Sequence, residues 1–268
     1  MERQDVAPVH QKSRRPAPWP VEFYRSAVGK KWVMALTGIM LMGYVFVHMV
    51  GNLKLYMGAE DINHYGEFLR ELLVPILPRT VTLWLLRIGL IAAFVFHIHS
   101  AYGLTRMNRR ARAEGGYVSK RDYQAANAAS RSMRMTGVVI LLFVIWHLAD
   151  LTWGTVNPDY VRGDVYRNVV ASFERPAVSA IYIVANIALG VHLFHGAWSM
   201  FQSLGLNNPK WNSWRRGFAA GFAGIVMIGN LSFPIAVLTG VISADDNPDC
   251  LVEGDTIETC EQYAGEDH

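Results

Sequence analysis

The stretch AVSAIYIVANIALGVHLFHGAWSMFQ, residues 177–202, decides the fold. It holds no Asp, Glu, Lys or Arg. Wound as a helix it reaches about 39 Å, more than the roughly 30 Å hydrocarbon core of a bilayer. A backbone in lipid must satisfy its own hydrogen bonds, so an apolar run of this length reads as a spanning helix. Yet this run carries two imidazoles, His192 and His195. Ionisable groups at membrane depth are costly and tend to mark function.

Outward from that stretch lie four further runs, at about 32–56, 80–104, 134–156 and 217–242. The fold class expected is therefore all-α, an integral membrane bundle of five transmembrane helices. The chain divides into an N-terminal tail (1–24), a five-helix domain (25–242) and an acidic tail (243–268). A cleaved secretory leader is not expected, because the segment before the first run is long, basic and Pro-rich.

Charge gives orientation. Arg3, Lys12, Arg14, Arg15, Arg25, Lys30 and Lys31 precede the first run, and Arg106, Arg109, Arg110, Arg112, Lys120, Arg121 and Arg131 lie between the second and third. Lys210, Arg215 and Arg216 lie between the fourth and fifth. The alternate loops are richer in acids, among them Glu60, Asp61, Glu67, Glu71, Asp159 and Asp164, and no Lys or Arg follows Arg216. The positive-inside rule then puts the N-terminus in the cytoplasm and the C-terminus outside. Orientation explains the basic loops, so no nucleic-acid partner is expected; the partner implied at this level is the lipid bilayer.

Of nine histidines, six fall inside spans: His48, His97, His99, His147, His192 and His195. At 1.5 Å of rise per residue, His48 and His147 sit about 24 Å from the inner charged boundary. His99 and His192 sit roughly 10–15 Å from it. Odd spans thus supply an outer pair and even spans an inner pair. Haem iron with two axial imidazoles needs such pairs on facing helices, and it favours electron transfer because no coordination position stays open. Zinc fits less well, since each layer offers few further N or S ligands. A proton path through histidines would not require pairing by depth.

His99 and His192 each have glycine four residues on, Gly103 and Gly196, one turn away on the same face. The absent side chains leave room for a flat macrocycle; close helix packing is the other reading. His97 lies nearly opposite His99, so the two cannot face one pocket. His195 is on roughly the side of His192, as a propionate partner or a group behind the ligand. Arg87 and Lys54 lie toward the outer side, where they would pair with propionates or snorkel to the interface. Gly217, Gly221 and Gly224 of the fifth run are spaced for close helix contact, and Pro234 for a kink. Cys250 and Cys260, both in the acidic tail, read most simply as a disulfide.

The pieces SAVGKKWVMALTG, HMVGNLKLYMG, HSAYG, WHLADLTWG and HLFHGAWSMFQSLG, in this order and helix placement, carry a resemblance. Over about 24–242 the chain resembles the five-helix cytochrome b membrane anchor of succinate:quinone oxidoreductases, succinate dehydrogenase and fumarate reductase. The resemblance implies a multi-pass subunit of the bacterial cell membrane that holds a flavoprotein subunit and an iron–sulfur subunit. Electrons from succinate would cross it to a quinone, menaquinone in this reading. It also implies one or two bis-His haem b groups, with His99 and His192 matching the proximal ligands and His48 and His147 the distal ones. The extra histidines and the tail depart from the pattern. They keep open a Rieske-type [2Fe–2S] centre built from Cys250, Cys260 and two histidines.

Quinone reduction consumes two protons, so donors near a redox centre are sought. Ser26, Lys30, Lys31 and Trp32 form a candidate inner quinone site, with subunit docking as the plainer reading. In the first outer loop Asp61, His64 and Glu67 are candidates for proton transfer, against a reading as solvated loop charges. Asp150, three residues after His147, is a third candidate, with helix capping as its alternative. A cofactor-free anchor, a cytochrome b anchor for another dehydrogenase, and a transporter or proton channel remain as rival functions. The chain alone is not expected to oxidise succinate. Working direction and assembly into a higher oligomer stay open.

Overall fold

The protein is described by a computed structural model covering residues 17–113, 124–206 and 208–244, with side chains omitted at 112–113 and 124–131. Among these residues it is all-helical and has five helices long and apolar enough to cross a membrane. They are α2 (Ala27–Asn52), α4 (Val81–Ala113), α5 (Gln124–Leu151), α7 (Pro176–Ser203) and α8 (Asn212–Leu238). The expected fold class is the one observed. Three shorter helices join them: α1 (Trp19–Arg25), α3 (Ala59–Glu71) and α6 (Val165–Phe173).

The outward faces are those of a protein in lipid. Leu85, Ile88, Ile91 and Val95 of α4 and Ile225 and Ile228 of α8 are all more than half exposed. Contiguous apolar surface on that scale would drive a water-soluble monomer to aggregate. α4 extends past its apolar run to a length of about 50 Å, so its Arg106, Arg109 and Arg110 stand on helix rather than loop.

α4 packs along α2, α5 along α7, and α2 touches α7, while α8 lies against α7 and α2. The fifth span packs through Ala219, Ala223 and Val226, which are buried. Its glycines do something other than expected. A Cβ added at Gly217, Gly221 or Gly224 would meet nothing within 4 Å, so these three face outward. The close approaches are at Gly229, whose added Cβ would lie 2.5 Å from Met49 Sδ, and at Gly190, 2.7 Å from Met227 Sδ. Helical periodicity placed glycines on one stripe, but the stripe that meets neighbours is the alanine one. Pro234 lies within α8, fully buried.

The largest core sits at the acidic end of the bundle, away from the basic loops. Met49, Leu55, Ile62, Tyr166, Val170, Phe173, Tyr182 and Phe233 come together there. Two loop helices build it. Gly58, at φ +107°, turns the chain into α3, a conformation that L side chains rarely adopt. Asn63 of α3 then binds the start of α6: its amide oxygen accepts from the Val165 and Tyr166 N–H groups at 2.8 and 3.1 Å. Asp164 caps the same helix through the Arg167 N–H at 3.0 Å.

Candidate redox site

The spans bring four histidines into two facing pairs. His48 of α2 and His147 of α5 have ring centroids 5.9 Å apart, with ring planes at 84°. His97 of α4 and His192 of α7 have centroids 6.5 Å apart, at 63°. Neither pair joins helices that pack side by side; each reaches across between the α2–α4 and α5–α7 neighbours.

Expected in the inner pair was His99, and the structure places it elsewhere. Its ring is exposed, stacks on Tyr24 of α1 at 5.7 Å, and shares a hydrogen bond between its Nδ1 and the Tyr24 hydroxyl. The physical reason lies in the face of α4 that meets α2. Ala93 and Ser100 are its buried residues, and His97 lies between them at helical spacing, whereas His99 is turned well away. Gly103 likewise leaves room for something other than a macrocycle. A Cβ there would lie 2.9 Å from Cε of Lys30, whose ammonium sits 4.3 Å over the Tyr24 ring. At Gly196 an added Cβ would meet nothing within 4 Å.

Each inner imidazole is oriented by a threonine on the adjacent helix. Thr37 Oγ1 lies 3.2 Å from His97 Nδ1, and Thr136 Oγ1 lies 3.1 Å from His192 Nδ1. Both hydroxyls also donate at 2.7 Å to the carbonyl four residues back, Val33 and Ser132. A hydroxyl has one proton, so with that proton committed its oxygen accepts from the imidazole. Nδ1 then carries the hydrogen and Nε2 keeps its lone pair, the state a metal ligand needs.

The outer pair uses a different partner. Tyr182 donates to Asp150 Oδ2 at 2.9 Å, and its oxygen lies 3.3 Å from His147 Nδ1. By the same count, His147 donates and Tyr182 accepts. Asp150, put forward for proton transfer, is fully buried. It is engaged by Arg175 Nη2 at 2.7 Å, Ser172 Oγ at 2.8 Å and Tyr182. It holds the orienting tyrosine in place. His48 stacks on Tyr44 at 5.4 Å, and Asn52 Nδ2 lies 3.4 Å from its Nε2.

The remaining candidates are spread out. Ser26 caps α2, accepting from the Gly29 N–H at 2.9 Å and donating to the Phe23 carbonyl at 2.7 Å. Lys30 is buried, while Lys31 and Trp32 are exposed. Glu67 is bound by Arg70 at 3.2 Å and also by Arg79, and His64 is exposed on α3. Lys54 pairs with Asp61 at 3.6 Å, and Arg87 lies 5.1 Å over Trp84. His195 meets Phe194 edge-on at 5.2 Å. Cys250 and Cys260 lie outside the described residues.

Thr37 and Thr136 are not among the sequence candidates, although a signal was present. Thr-Gly followed after nine residues by His occurs twice, as Thr37-Gly38 before His48 and Thr136-Gly137 before His147. The glycines lie beside the rings: added Cβ atoms would sit in ordinary van der Waals contact, 3.5 Å from His97 Cε1 and 3.7 Å from His192 Cε1.

A multi-pass helical membrane protein with two crossed histidine pairs is the class this fold and site define. Residues 105–231 match a family model described as the succinate dehydrogenase/fumarate reductase transmembrane subunit. The chain is also 25% identical over 173 residues to the succinate dehydrogenase cytochrome b558 subunit of Bacillus subtilis (strain 168), covering 64% of this chain and 77% of that one. No solved structure matches. The two matches agree with each other and support a membrane anchor of the succinate dehydrogenase/fumarate reductase family.

Proposed function

We propose that this chain carries electrons from an iron–sulfur subunit to a quinone through bis-His haem b, as the anchor of a bacterial succinate:quinone oxidoreductase. The flavoprotein and iron–sulfur subunits would dock at the basic, cytoplasmic end, on a bundle spanning 25–242 between the tails 1–24 and 243–268.

The observation that carries this reading is the two facing pairs on alternate spans. Imidazoles bonded to opposite sides of one metal ion, each nitrogen about 2 Å away, have ring centres about 6 Å apart. The ring separations of 5.9 and 6.5 Å fit that spacing. Among the described residues there is no group of three or more His, Cys, Asp or Glu that could hold a metal. A two-ligand donor set suits an ion whose other positions a macrocycle fills. The relative's name, cytochrome b558, agrees with haem b.

In this reading His97 and His192 hold the inner group and His48 and His147 the outer one. Haem held by these residues would supply one-electron transfer. Thr37, Thr136 and Tyr182 fix the imidazole tautomers, and the apolar helices exclude water. Menaquinone is the substrate proposed, with Lys30, Lys31 and Trp32 lining an inner approach. Reduced-minus-oxidised spectra of the purified complex, with and without succinate, test the proposal. Two succinate-reducible b-type signals are expected; a complex without haem absorbance refutes it.

A further inference from the structure

The basic end of α7 and α8 holds a groove of about 600 Å³ lined by Phe201, Leu206, Trp211, Trp214 and Arg215. Arg215 is its charged member and is only 2% exposed. Its Nη1 donates to the Leu206 carbonyl at 3.2 Å and its Nη2 to Asn212 Oδ1, while its buried Nε has no partner. Both acceptors are neutral. Between Glu174 and Asp245 the sequence has no Asp or Glu, so α7, α8 and the loop joining them offer no carboxylate. A buried guanidinium without an opposite charge is strongly disfavoured, and a buried donor left unpaired calls for an explanation.

We infer that this groove binds the phosphate headgroup of an anionic membrane lipid, with Arg215 as the phosphate ligand. A planar guanidinium suits phosphate oxygens, and its forked donors hold them in fixed geometry. The other walls suit the rest of a lipid. Trp211 and Trp214 are more than half exposed and Leu206 is 61% exposed, at the level where tryptophans gather between headgroups and acyl chains. Lys210, with its ammonium 5.8 Å from the Trp211 ring, adds a second cation at the rim. A quinone headgroup would fit the apolar walls, but a neutral carbonyl does not offset the charge. Inorganic phosphate would offset the charge and leave the apolar walls unused.

The test uses the full-length protein with its copurifying subunits, stripped of lipid in neutral detergent. Thermal stability is measured on adding phosphatidylglycerol, phosphatidylcholine or inorganic phosphate. Phosphatidylglycerol is expected to raise the unfolding temperature, with the other two giving little change. In Arg215→Gln the apparent lipid affinity is expected to fall about tenfold or more, the worth of one charge-assisted contact. Because Arg215 is buried and its replacement can impair folding, Leu206→Glu is the second variant. It sets a carboxylate at the exposed rim and should abolish the response in a folded protein. Equal protection by phosphatidylcholine or by inorganic phosphate overturns the inference. So does a normal lipid response in Leu206→Glu, or an Arg215→Gln variant that sheds its soluble subunits yet responds to lipid as before.

Discussion

His97 and His192 face one another across the bundle with ring centres 6.5 Å apart, each held at Nδ1 by a threonine from a neighbouring helix. The arrangement leaves both Nε2 lone pairs uncommitted to those threonines.

Single alanine replacements separate the two layers. His97→Ala and His192→Ala should remove one and the same b-type signal from the reduced-minus-oxidised spectrum, and His48→Ala and His147→Ala the other. His99→Ala should keep both, since that ring binds Tyr24 instead. A missing signal in His99→Ala, with His97→Ala unchanged, would reverse the assignment.

Thr37→Val and Thr136→Val keep side-chain shape and remove the oxygen that accepts from Nδ1. Loss of a group that orients a metal ligand typically weakens metal binding by about 10–100-fold. The inner signal should therefore wash out more readily in detergent, while the outer signal persists. Haem content per protein after repeated washing reads the difference.

Asp150→Ala leaves Arg175 without its carboxylate and Tyr182 without an acceptor. Breaking a buried pair from one side costs about 3–5 kcal/mol, and the 29% exposure of the Arg175 side chain points to the lower end. A clear drop in unfolding temperature is expected, and the outer haem signal should be disturbed because Tyr182 orients His147. Unchanged stability would show that the network carries little of the outer core.

Two glycines should respond oppositely to alanine. At Gly51 the new Cβ would lie 2.7 Å from the Tyr65 ring, a rigid neighbour, and overpacking of this kind costs about 1–3 kcal/mol. At Gly221 the Cβ meets nothing within 4 Å, and replacing a mid-helix glycine gains about 0.5–1 kcal/mol. Thermal denaturation of the two variants in one detergent reads the sign.

The five spans were legible because lipid admits few alternatives: long charge-free runs have to be helices. Depth was legible too, since helical rise converts residue number to height, and it pointed to a histidine from each of four spans. Azimuth was not. Which imidazole of α4 faces His192 depends on which side of α4 meets α2, and within the apolar run hydrophobicity does not mark that side. The small residues Ala93 and Ser100 mark it. The loop helices α3 and α6 were missed because each becomes stable only against the other, through Asn63 and a shared core. The carboxylate of Asp150 was found by position, but its partners Arg175 and Tyr182 lie far along the chain.

The repeated Thr-Gly layout acts as a ruler. Eleven residues separate Thr37 from His48 and Thr136 from His147, so the two levels stand about 16 Å apart along the helix axes. Hydrogen-bond pitch sets that interval, and bilayer thickness has no say in it. A thicker membrane would tilt or stretch the surrounding lipid without changing that interval. One residue inserted within either interval would swing the outer imidazole by about 100° and uncouple the levels.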